Sequence, residues 1–289
     1  MKKIPVILDC DNTMGVPGCD VDDGLTLLYL LGCPEVELLG ITCSYGNNTQ
    51  QTVYYNTLRL LKCWNREDIP VFRGGDDAAQ RKSPASSFLA ESARKYQGEL
   101  CILATGAMTN LLGAAEEDSG FWGNLKTVSI MGGITEPLFV NGVPMDELNL
   151  SCDPEASCAV LREVRDLRIA TAQNSIHSYF SRSSWRENGL DEKEVGYWFD
   201  IHESKWNLEG IVIWDVMAAV QLIHPELLDA NETVIGPNAE LLRTGMILGY
   251  GYCRSAKLPQ TRDLKIYTDH VYHIWRNAAI LQEKQRRKT

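Results

Sequence analysis

An alternation of short strand-like and longer helix-like segments, running from PVILD to DLRIATAQ, constrains the fold most. Segments such as VELLGITC are short, apolar and rich in β-branched residues, whereas TQQTVYYNTLRLLKCW spaces its apolar residues as an amphipathic helix does. Strands that alternate with helices of this length pair in parallel, because each helix returns the chain to the same edge of the sheet. The sequence predicts an α/β chain with a mostly parallel, Rossmann-like open sheet and helices on both faces.

The domain organisation follows from length and from one change in composition. A chain of 289 residues can form one large α/β domain, and we expect residues 1–289 to do so. Between about 175 and 210 the sequence turns aromatic, polar and irregular. We therefore expect residues 175–210 to form a helical and loop cover over the carboxyl ends of the strands.

Charge and cysteine usage narrow the class of partner and the compartment. The net charge of −10 argues against a nucleic-acid partner, because phosphate backbones attract basic surfaces. No apolar run approaches the length that spans a membrane. The first residues, MKKIPVILDCDN, have a short apolar stretch and are interpreted as a strand, not a signal peptide. The nine scattered cysteines then indicate free thiols and a cytoplasmic protein.

Five aspartates crowd into the stretch VILDCDNTMGVPGCDVDDGLTLLYLL, at the end of the first predicted strand. They are Asp9, Asp11, Asp20, Asp22 and Asp23. Carboxylates that lie close together repel one another and raise each other's pKa, and a bound cation is the simplest compensation. Further polar residues follow other predicted strands. Because ligands of such sheets bind at the carboxyl ends of the strands, we expect one site there.

One interpretation of the aspartates is a phosphatase. The stretch ILDCDNT resembles the first motif of the haloacid dehalogenase phosphatases, which implies that Asp9 is a nucleophile, Asp11 a general acid and Mg²⁺ the cofactor. That family also needs a later lysine and an acidic pair near a downstream strand end. Here the acidic pair, Asp22 and Asp23, opens the next helix almost at once.

A second resemblance covers far more of the chain. Five stretches occur in the order that is typical of the inosine-uridine-preferring nucleoside hydrolases. They are the two acidic pairs around a glycine-containing turn, LLGITCSYGNN, ILATGAMTNLLGA, the stretch from IMGGITEP to DELNLSCDPEAS, and WDVMAAVQLIHPEL. The sequence resembles that family from residue 6 to about residue 230. We prefer this interpretation. It implies Ca²⁺-dependent hydrolysis of the N-glycosidic bond of ribonucleosides. It also implies that the protein is a homodimer or a homotetramer.

The resemblance also implies a role for particular residues. Asp11 would act as the catalytic base. The ligands of Ca²⁺ would be Asp11, Asp23, the carbonyl of Thr105 and Asp215. The ribose hydroxyls would be held by Asp22, Asn47, Asn141, Glu147 and Asn149. The turn between Asp11 and Asp22 is longer than is usual in the family, so the sequence leaves open whether Asp11 or Asp20 faces the metal.

The residue before Asp215 bears on which base the protein recognises. Trp214 stands where many members have a histidine, and tryptophan at this place resembles the purine-specific branch of the family. Indole does not titrate, but it can stack on a purine. We expect purine nucleosides to be favoured, with Trp185, Trp198 or Trp206 of the cover as candidates for the opposite face. A non-catalytic ribonucleoside-binding protein remains a third possibility.

Overall fold

The main feature of the fold is an eight-stranded sheet. The computed structural model describes residues 2–286. The strands in chain order are β1 (Ile4–Cys10), β2 (Val36–Cys43), β3 (Val71–Arg73), β4 (Cys101–Ala104), β5 (Thr127–Met131), β6 (Leu138–Val140), β7 (Val143–Met145), β8 (Leu167–Ala170), β9 (Tyr179–Ser181), β10 (Gly210–Val212), β11 (Leu228–Ile235) and β12 (Arg254–Thr261).

Helices cover the sheet and form most of the connections. In chain order they are α1 (Asp22–Gly32), α2 (Gln50–Cys63), α3 (Pro84–Lys95), α4 (Thr109–Glu117), α5 (Phe121–Asn124), α6 (Pro154–Glu163), α7 (Ala172–Ser175), α8 (Arg182–Glu187), α9 (Gly196–Trp206), α10 (Val216–Ile223), α11 (Ala239–Leu242) and α12 (Leu264–Arg286). A 3₁₀ turn, Pro225–Leu227, follows α10. No helix in this described part has both the length and the hydropathy for a membrane crossing.

The strand order places a ligand-binding crevice beside β1. The order across the main sheet is β11-β12-β8-β5-β4-β1-β2-β3, and all neighbours pair in parallel except β11 and β12. The chain therefore leaves β1 on one side for β2 and β3, and returns on the other side at β4. Such a switch point opens a crevice at the carboxyl ends of the two central strands. The α/β class and the mostly parallel sheet agree with the prediction from sequence.

The central strands are buried on both faces, as helices on both sides require. Along β1, Val6 and Leu8 pack into the hydrophobic cluster on one face of the sheet, whereas Ile7 packs into the cluster on the other. This two-residue alternation is the geometry of an extended strand. It explains why β1 reads as a continuous apolar run that ends abruptly at the aspartates.

Residues 175–210 contain short elements and no strand of the main sheet. β9 pairs with β10 in a separate two-stranded sheet, and α8 and α9 lie between them in the chain. Tyr197 on α9 donates its hydroxyl proton to the carbonyl of Cys19 at 2.9 Å and accepts from the amide of Gly15 at 3.3 Å. The segment therefore contacts the long turn that carries the aspartates.

The contact between α1 and α12 predicts opposite effects of two glycine substitutions. A Cβ at Gly32 would lie 2.2 Å from the carbonyl oxygen of Ile274, whereas a Cβ at exposed Gly123 would have nothing within 4 Å. Gly32→Ala should lower the free energy of unfolding by about 1–3 kcal/mol through overpacking. Gly123→Ala should raise it by about 0.4–1 kcal/mol, since the unfolded chain loses entropy. Urea denaturation measures both, and equal effects would contradict the described helix contact.

Candidate active site

A cavity of about 190 Å³ lies at the carboxyl ends of the central strands. Its polar lining comes from loops that follow β1, β2, β4 and β7 and from the start of α10, and apolar residues line the rest of the cavity. The polar lining residues are Asp20, Asp22, Asn47, Thr105, Asp146, Glu147, Asn149 and Asp215. The apolar lining residues are Met131, Leu138, Met145, Leu148, Ala172 and Trp214.

Three carboxylates converge at one end of this cavity. Oxygen atoms of Asp22, Asp23 and Asp215 lie within 4.8 Å of one another, and all three side chains are buried. Asp22 and Asp23 form the first turn of α1, and Asp215 directly precedes α10. The positive ends of two helix dipoles therefore face the carboxylates and partly offset their repulsion. We call Asp22, Asp23 and Asp215 the acidic cluster.

Asp11 lies beside the acidic cluster and is held by Asn47. The backbone amide of Asn47 donates to Asp11 Oδ2 at 2.5 Å, and its side-chain amide donates to Asp11 Oδ1 at 3.2 Å. Gly46 permits this approach, since a Cβ there would lie 2.1 Å from Asp11 Oδ2. Both oxygens of the buried Asp11 carboxylate are thus oriented, while Asn47 itself lines the cavity.

Asp9 and Thr105 support the acidic cluster from the central strands. The hydroxyl of Thr105 donates to Asp23 Oδ1 at 2.7 Å, and its amide donates to the carbonyl of Asp9 at 2.8 Å. The carboxylate of Asp9 accepts from Thr42 at 2.5 Å and from Asn110 at 2.9 Å, and it is fully buried. A carboxylate enclosed in this way is poorly placed to attack a phosphate ester, which counts against the phosphatase interpretation.

Burial raises the pKa of every carboxyl group at this end of the cavity. Desolvation, opposed by the hydrogen bonds from Thr42 and Asn110, raises the pKa of Asp9 to about 7. Desolvation raises the pKa of Asp11 to about 6, and desolvation with the charge of Asp11 raises that of Asp22 to about 7. The pKa values of Asp23 and Asp215 lie well above the ordinary range through burial and neighbouring carboxylates.

Two buried carboxylate oxygens in this group have no hydrogen-bond donor within the described residues. They are Asp9 Oδ1 and Asp23 Oδ2. A buried acceptor without a partner is costly, more so when it carries charge. The donor set around Asp23 consists of oxygen atoms only, which suits a hard divalent cation such as Ca²⁺. The residues present therefore fit a cation at the acidic cluster.

Asp20 also reaches the cavity, on the long turn that precedes α1. It is half-buried, its Oδ1 accepts from the amide of Val21 at 2.6 Å, and its carbonyl accepts from the hydroxyl of Thr13 at 3.0 Å. Burial and the charge of Asp22 raise its pKa. The structure thus brings both Asp11 and Asp20 to the site: Asp11 is buried and held by Asn47, whereas Asp20 faces the cavity.

Glu147 and Asn149 line the cavity after β7, as their spacing in the sequence suggests. Glu147 Oε1 accepts from the amides of Leu150 at 2.8 Å and Gly133 at 3.1 Å, and burial raises its pKa. The side-chain amide of Asn149 donates to the carbonyl of Met131 at 3.1 Å. These contacts hold two polar side chains in fixed positions at the carboxyl end of β5.

Asn141 lies elsewhere, and here the structure differs from the site predicted from sequence. It occupies the two-residue turn between β6 and β7 with a φ of 47°, followed by Gly142 with a φ of 78°. Asn-Gly is the preferred pair for such a hairpin turn. The Asn141 side chain is exposed and donates to the carbonyl of Trp206 at 2.7 Å, so it belongs to the hairpin and not to the cavity lining described here.

Trp214 is one of the apolar residues that line the cavity, and it is 8% exposed. The candidates for an opposite aromatic face are placed differently: Trp198 and Trp206 flank His202 on α9, and Trp185 packs against Phe199 and Trp275. Sequence reasoning missed Asp146 and every apolar lining residue except Trp214. A position next to Glu147 could have indicated Asp146 and its neighbours, but the other missed residues are hydrophobic residues of a kind that also fills cores.

Comparisons with known proteins match this chain to nucleoside hydrolases. The family model for the inosine-uridine preferring nucleoside hydrolase matches residues 6–270. Uridine nucleosidase 1 of Arabidopsis thaliana is 27% identical, with 81% of this chain and 78% of that protein covered. A pyrimidine-specific ribonucleoside hydrolase of Shewanella oneidensis is 26% identical, with 80% and 81% covered.

Solved structures show the same fold. A plant nucleoside hydrolase superposes with a TM-score of 0.79 at 21% identity, covering 95% of this chain and 98% of the other. A purine-preferring ribonucleoside hydrolase from Gardnerella vaginalis superposes with a TM-score of 0.75 at 20% identity, covering 96% and 99%. The match of the family model over most of the chain, on a sheet whose strand ends form this cavity, shows that the chain belongs to the inosine-uridine preferring nucleoside hydrolases, a family of N-ribohydrolases.

Proposed function

We propose that this chain hydrolyses the N-glycosidic bond of ribonucleosides, purine nucleosides above all, to free base and ribose in a Ca²⁺-dependent reaction. The observation that carries the proposal is the acidic cluster, buried beside a cavity that is otherwise lined by polar and apolar groups. Carboxylates in such surroundings need a cation, and a cleft of this composition suits a polar sugar joined to a flat base.

Ca²⁺ suits the donor atoms available, since it takes six to eight oxygen ligands. The proposed ligands are Asp11, Asp23, the carbonyl of Thr105 and Asp215, with Asp20 as a further candidate. When bound, Ca²⁺ supplies positive charge that neutralises these carboxylates and lowers the pKa of a nearby water molecule. Asp22 shares the acidic cluster, so it is positioned to contact both the cation and a sugar hydroxyl.

Asp11 is the proposed general base. Its two oxygens are oriented by Asn47, and a pKa raised to about 6 makes it a stronger proton acceptor than an exposed aspartate while leaving it mostly ionised near neutral pH. Cleavage of the bond to the base passes through an oxocarbenium-like state at the sugar carbon. The surrounding carboxylates stabilise that developing positive charge.

The ribose would be held by Asp22, Asn47, Glu147 and Asn149, all of which line the cavity. Amide and carboxylate groups suit this task because sugar hydroxyls both donate and accept hydrogen bonds. A site built around a hydroxyl rejects the analogue that lacks it, so ribosides should be preferred over deoxyribosides. That Asn141 also holds the ribose stays a prediction from sequence. Such a contact would require the β6–β7 hairpin to turn toward the cavity.

Trp214 supports the preference for purines, because its indole face is large enough to stack on a bicyclic base. The two curated relatives named above are a uridine nucleosidase and a pyrimidine-specific hydrolase, whereas one solved structure is a purine-preferring hydrolase, so the preference for purines is part of the proposal. We also propose that residues 175–210 cover the bound substrate. A cytoplasmic location and a homodimer or homotetramer stay predictions from sequence.

The first prediction concerns the reaction and its base. Chromatography of reactions with inosine should show release of hypoxanthine that stops when Ca²⁺ is chelated and resumes when it is restored. Asp11→Asn should lower kcat by roughly 10²–10⁴-fold, the usual contribution of a general base. Asp20→Asn, the matched substitution on the same turn, should retain most of the activity.

Three other outcomes would contradict this assignment. Loss of activity in Asp20→Asn with full activity in Asp11→Asn would move the catalytic base to Asp20. Phosphate release from a sugar phosphate with Mg²⁺ would revive the phosphatase interpretation. Tight binding of inosine without any base release would identify a ribonucleoside-binding protein.

The raised pKa values predict the pH dependence of stability in chelated protein. Asp9, Asp11 and Asp22 have pKa values of about 7, 6 and 7 when folded, against about 3.9 for an unfolded aspartate. The folded state therefore holds more protons between about pH 4 and pH 7, and the free energy of unfolding should fall as the pH rises through that range. Added Ca²⁺ should restore stability most at the alkaline end.

Urea denaturation at several pH values, with chelator or with Ca²⁺, measures this dependence. Asp9→Asn should make the dependence shallower, because it removes one of the titrating groups while keeping an acceptor for Thr42 and Asn110. Stability of the chelated protein that rises between pH 4 and pH 7 would rule out the proposed electrostatics.

If Trp214 stacks on the base, its replacement should lower activity on purine nucleosides more than activity on pyrimidine nucleosides. Stacking on an aromatic ring contributes about 1–3 kcal/mol per base, so Trp214→Ala should lower kcat/KM for inosine by roughly 5- to 150-fold. The loss for uridine should be smaller, since a pyrimidine offers less area. Trp122→Ala, on α5 and outside the cavity lining, is the control and should leave the inosine-to-uridine ratio unchanged. An unchanged ratio in Trp214→Ala would refute the stacking role.

A further inference from the structure

We propose that Cys33, Glu35 and His224 bind a zinc ion at the end of α1 and α10 that lies away from the cavity. One ligand atom of each residue lies within 4.8 Å of the others. His224 Nε2 already lies 2.7 Å from a carboxylate oxygen of Glu35. Nothing in the proposed hydrolysis uses these side chains. We call the three residues the Cys33 site.

The donor set identifies the metal. A thiolate, an imidazole and a carboxylate are the ligands that Zn²⁺ takes in proteins, in tetrahedral sites with Zn–S near 2.3 Å and Zn–N near 2.0–2.1 Å. Ca²⁺ and Mg²⁺ prefer oxygen donors, so the sulfur atom distinguishes this site from the acidic cluster. Three protein ligands leave a fourth position for water.

The backbone around each ligand is held by hydrogen bonds. Cys33 directly follows α1, its amide donates to Leu30, and its carbonyl accepts from the amide of Val36 at 3.2 Å. The carbonyl of Glu35 accepts from the amide of Ile4 at 2.8 Å. His224 directly follows α10 and donates its amide to Val220 at 2.8 Å. Ligands on anchored element ends can close on a metal with side-chain movements alone.

A buried tyrosine orients the histidine. Tyr29 Oη lies 2.7 Å from His224 Nδ1 and 3.1 Å from His270 Nε2. If Tyr29 donates to His270 and accepts from His224 Nδ1–H, His224 is in the tautomer with its proton on Nδ1. The lone pair of Nε2 is then available to a metal. Metal-binding histidines generally donate their other ring N–H to such a partner. Tyr29 is therefore a positioning residue of the Cys33 site.

The Cys33 site is also reachable and electrostatically suited to a cation. Cys33 is buried, whereas the side chains of His224 and Glu35 are 14% and 33% exposed, which leaves a path from solvent. The carboxyl ends of α1 and α10 point their negative dipole ends at it. These features favour a bound cation over the bare pair of His224 and Glu35.

The position of the Cys33 site gives it a consequence for the cavity. α1 begins with Asp22 and Asp23 and ends at Cys33, and α10 begins next to Asp215 and ends at His224. The same two helices thus carry the acidic cluster at their amino ends and the zinc ligands at their carboxyl ends. α1, with 11 residues, is about 16 Å long. Zinc would fasten the helices together and so stabilise the arrangement of the acidic cluster.

Cobalt is a spectroscopic test for the sulfur ligand. Full-length protein with excess Ca²⁺, which occupies sites made of oxygen donors, is titrated with Co²⁺ under reducing conditions. Wild type should bind Co²⁺ with a sulfur-to-cobalt charge-transfer band that saturates at about one equivalent. Cys33→Ser should lose that band, and His224→Gln should weaken binding at least tenfold. Cys253→Ser and His273→Gln, two exposed positions outside the Cys33 site, are the matched controls and should keep it.

Thermal unfolding in the same buffer gives a second readout that does not depend on catalysis. Zn²⁺ should raise the Tm of wild type and of both controls but not that of Cys33→Ser. Tyr29→Phe should keep the band and weaken metal binding by roughly 10–100-fold, as loss of an outer partner does. Absence of the band in wild type, or its persistence in Cys33→Ser, would overturn the proposal. Either result would leave the proposed hydrolysis of inosine standing, because the acidic cluster and not the Cys33 site carries that proposal.

Discussion

The mutual repulsion of buried carboxylates is the interaction on which the site depends. Asp11 and the acidic cluster lie in surroundings that raise the pKa of each group, and Asp23 keeps one oxygen without a donor in the described structure. Two helix amino ends and the hydroxyl of Thr105 offset part of this cost. The remainder makes the arrangement unfavourable without a cation, and in the proposed reaction the same charge would stabilise an oxocarbenium-like state.

The architecture makes that concentration of charge possible. β1 and β4 adjoin at the point where the connections diverge, so the loops after them open a crevice that no crossover helix fills. Asn47 and Gly46 extend the same edge from β2 and hold Asp11. The long turn before α1 is secured by Tyr197 from the segment 175–210. The segment 175–210 and the turn that carries the aspartates are thereby mechanically connected.

Local sequence patterns anticipated the sheet, because the strands are short buried runs and the helices between them are amphipathic. They also anticipated that Asp22, Asn47, Glu147 and Asn149 meet, since each lies in the connection after β1, β2 or β5, parallel strands whose carboxyl ends share one edge of the main sheet. The family motifs sharpened these expectations to particular residues. The antiparallel pair β11 and β12 was not anticipated, as its pattern resembles that of surface loops.

Chain order alone could place the aspartates at a strand end, but packing determined which atoms meet. Asn141 shares a motif with Glu147, yet the preference of Asn-Gly for a tight hairpin moves it to the exposed turn. His224 and Cys33 are separated by most of the chain, and they meet because α1 packs beside α10. Distances between remote segments depend on how whole helices fit together, a property that no short stretch of sequence carries.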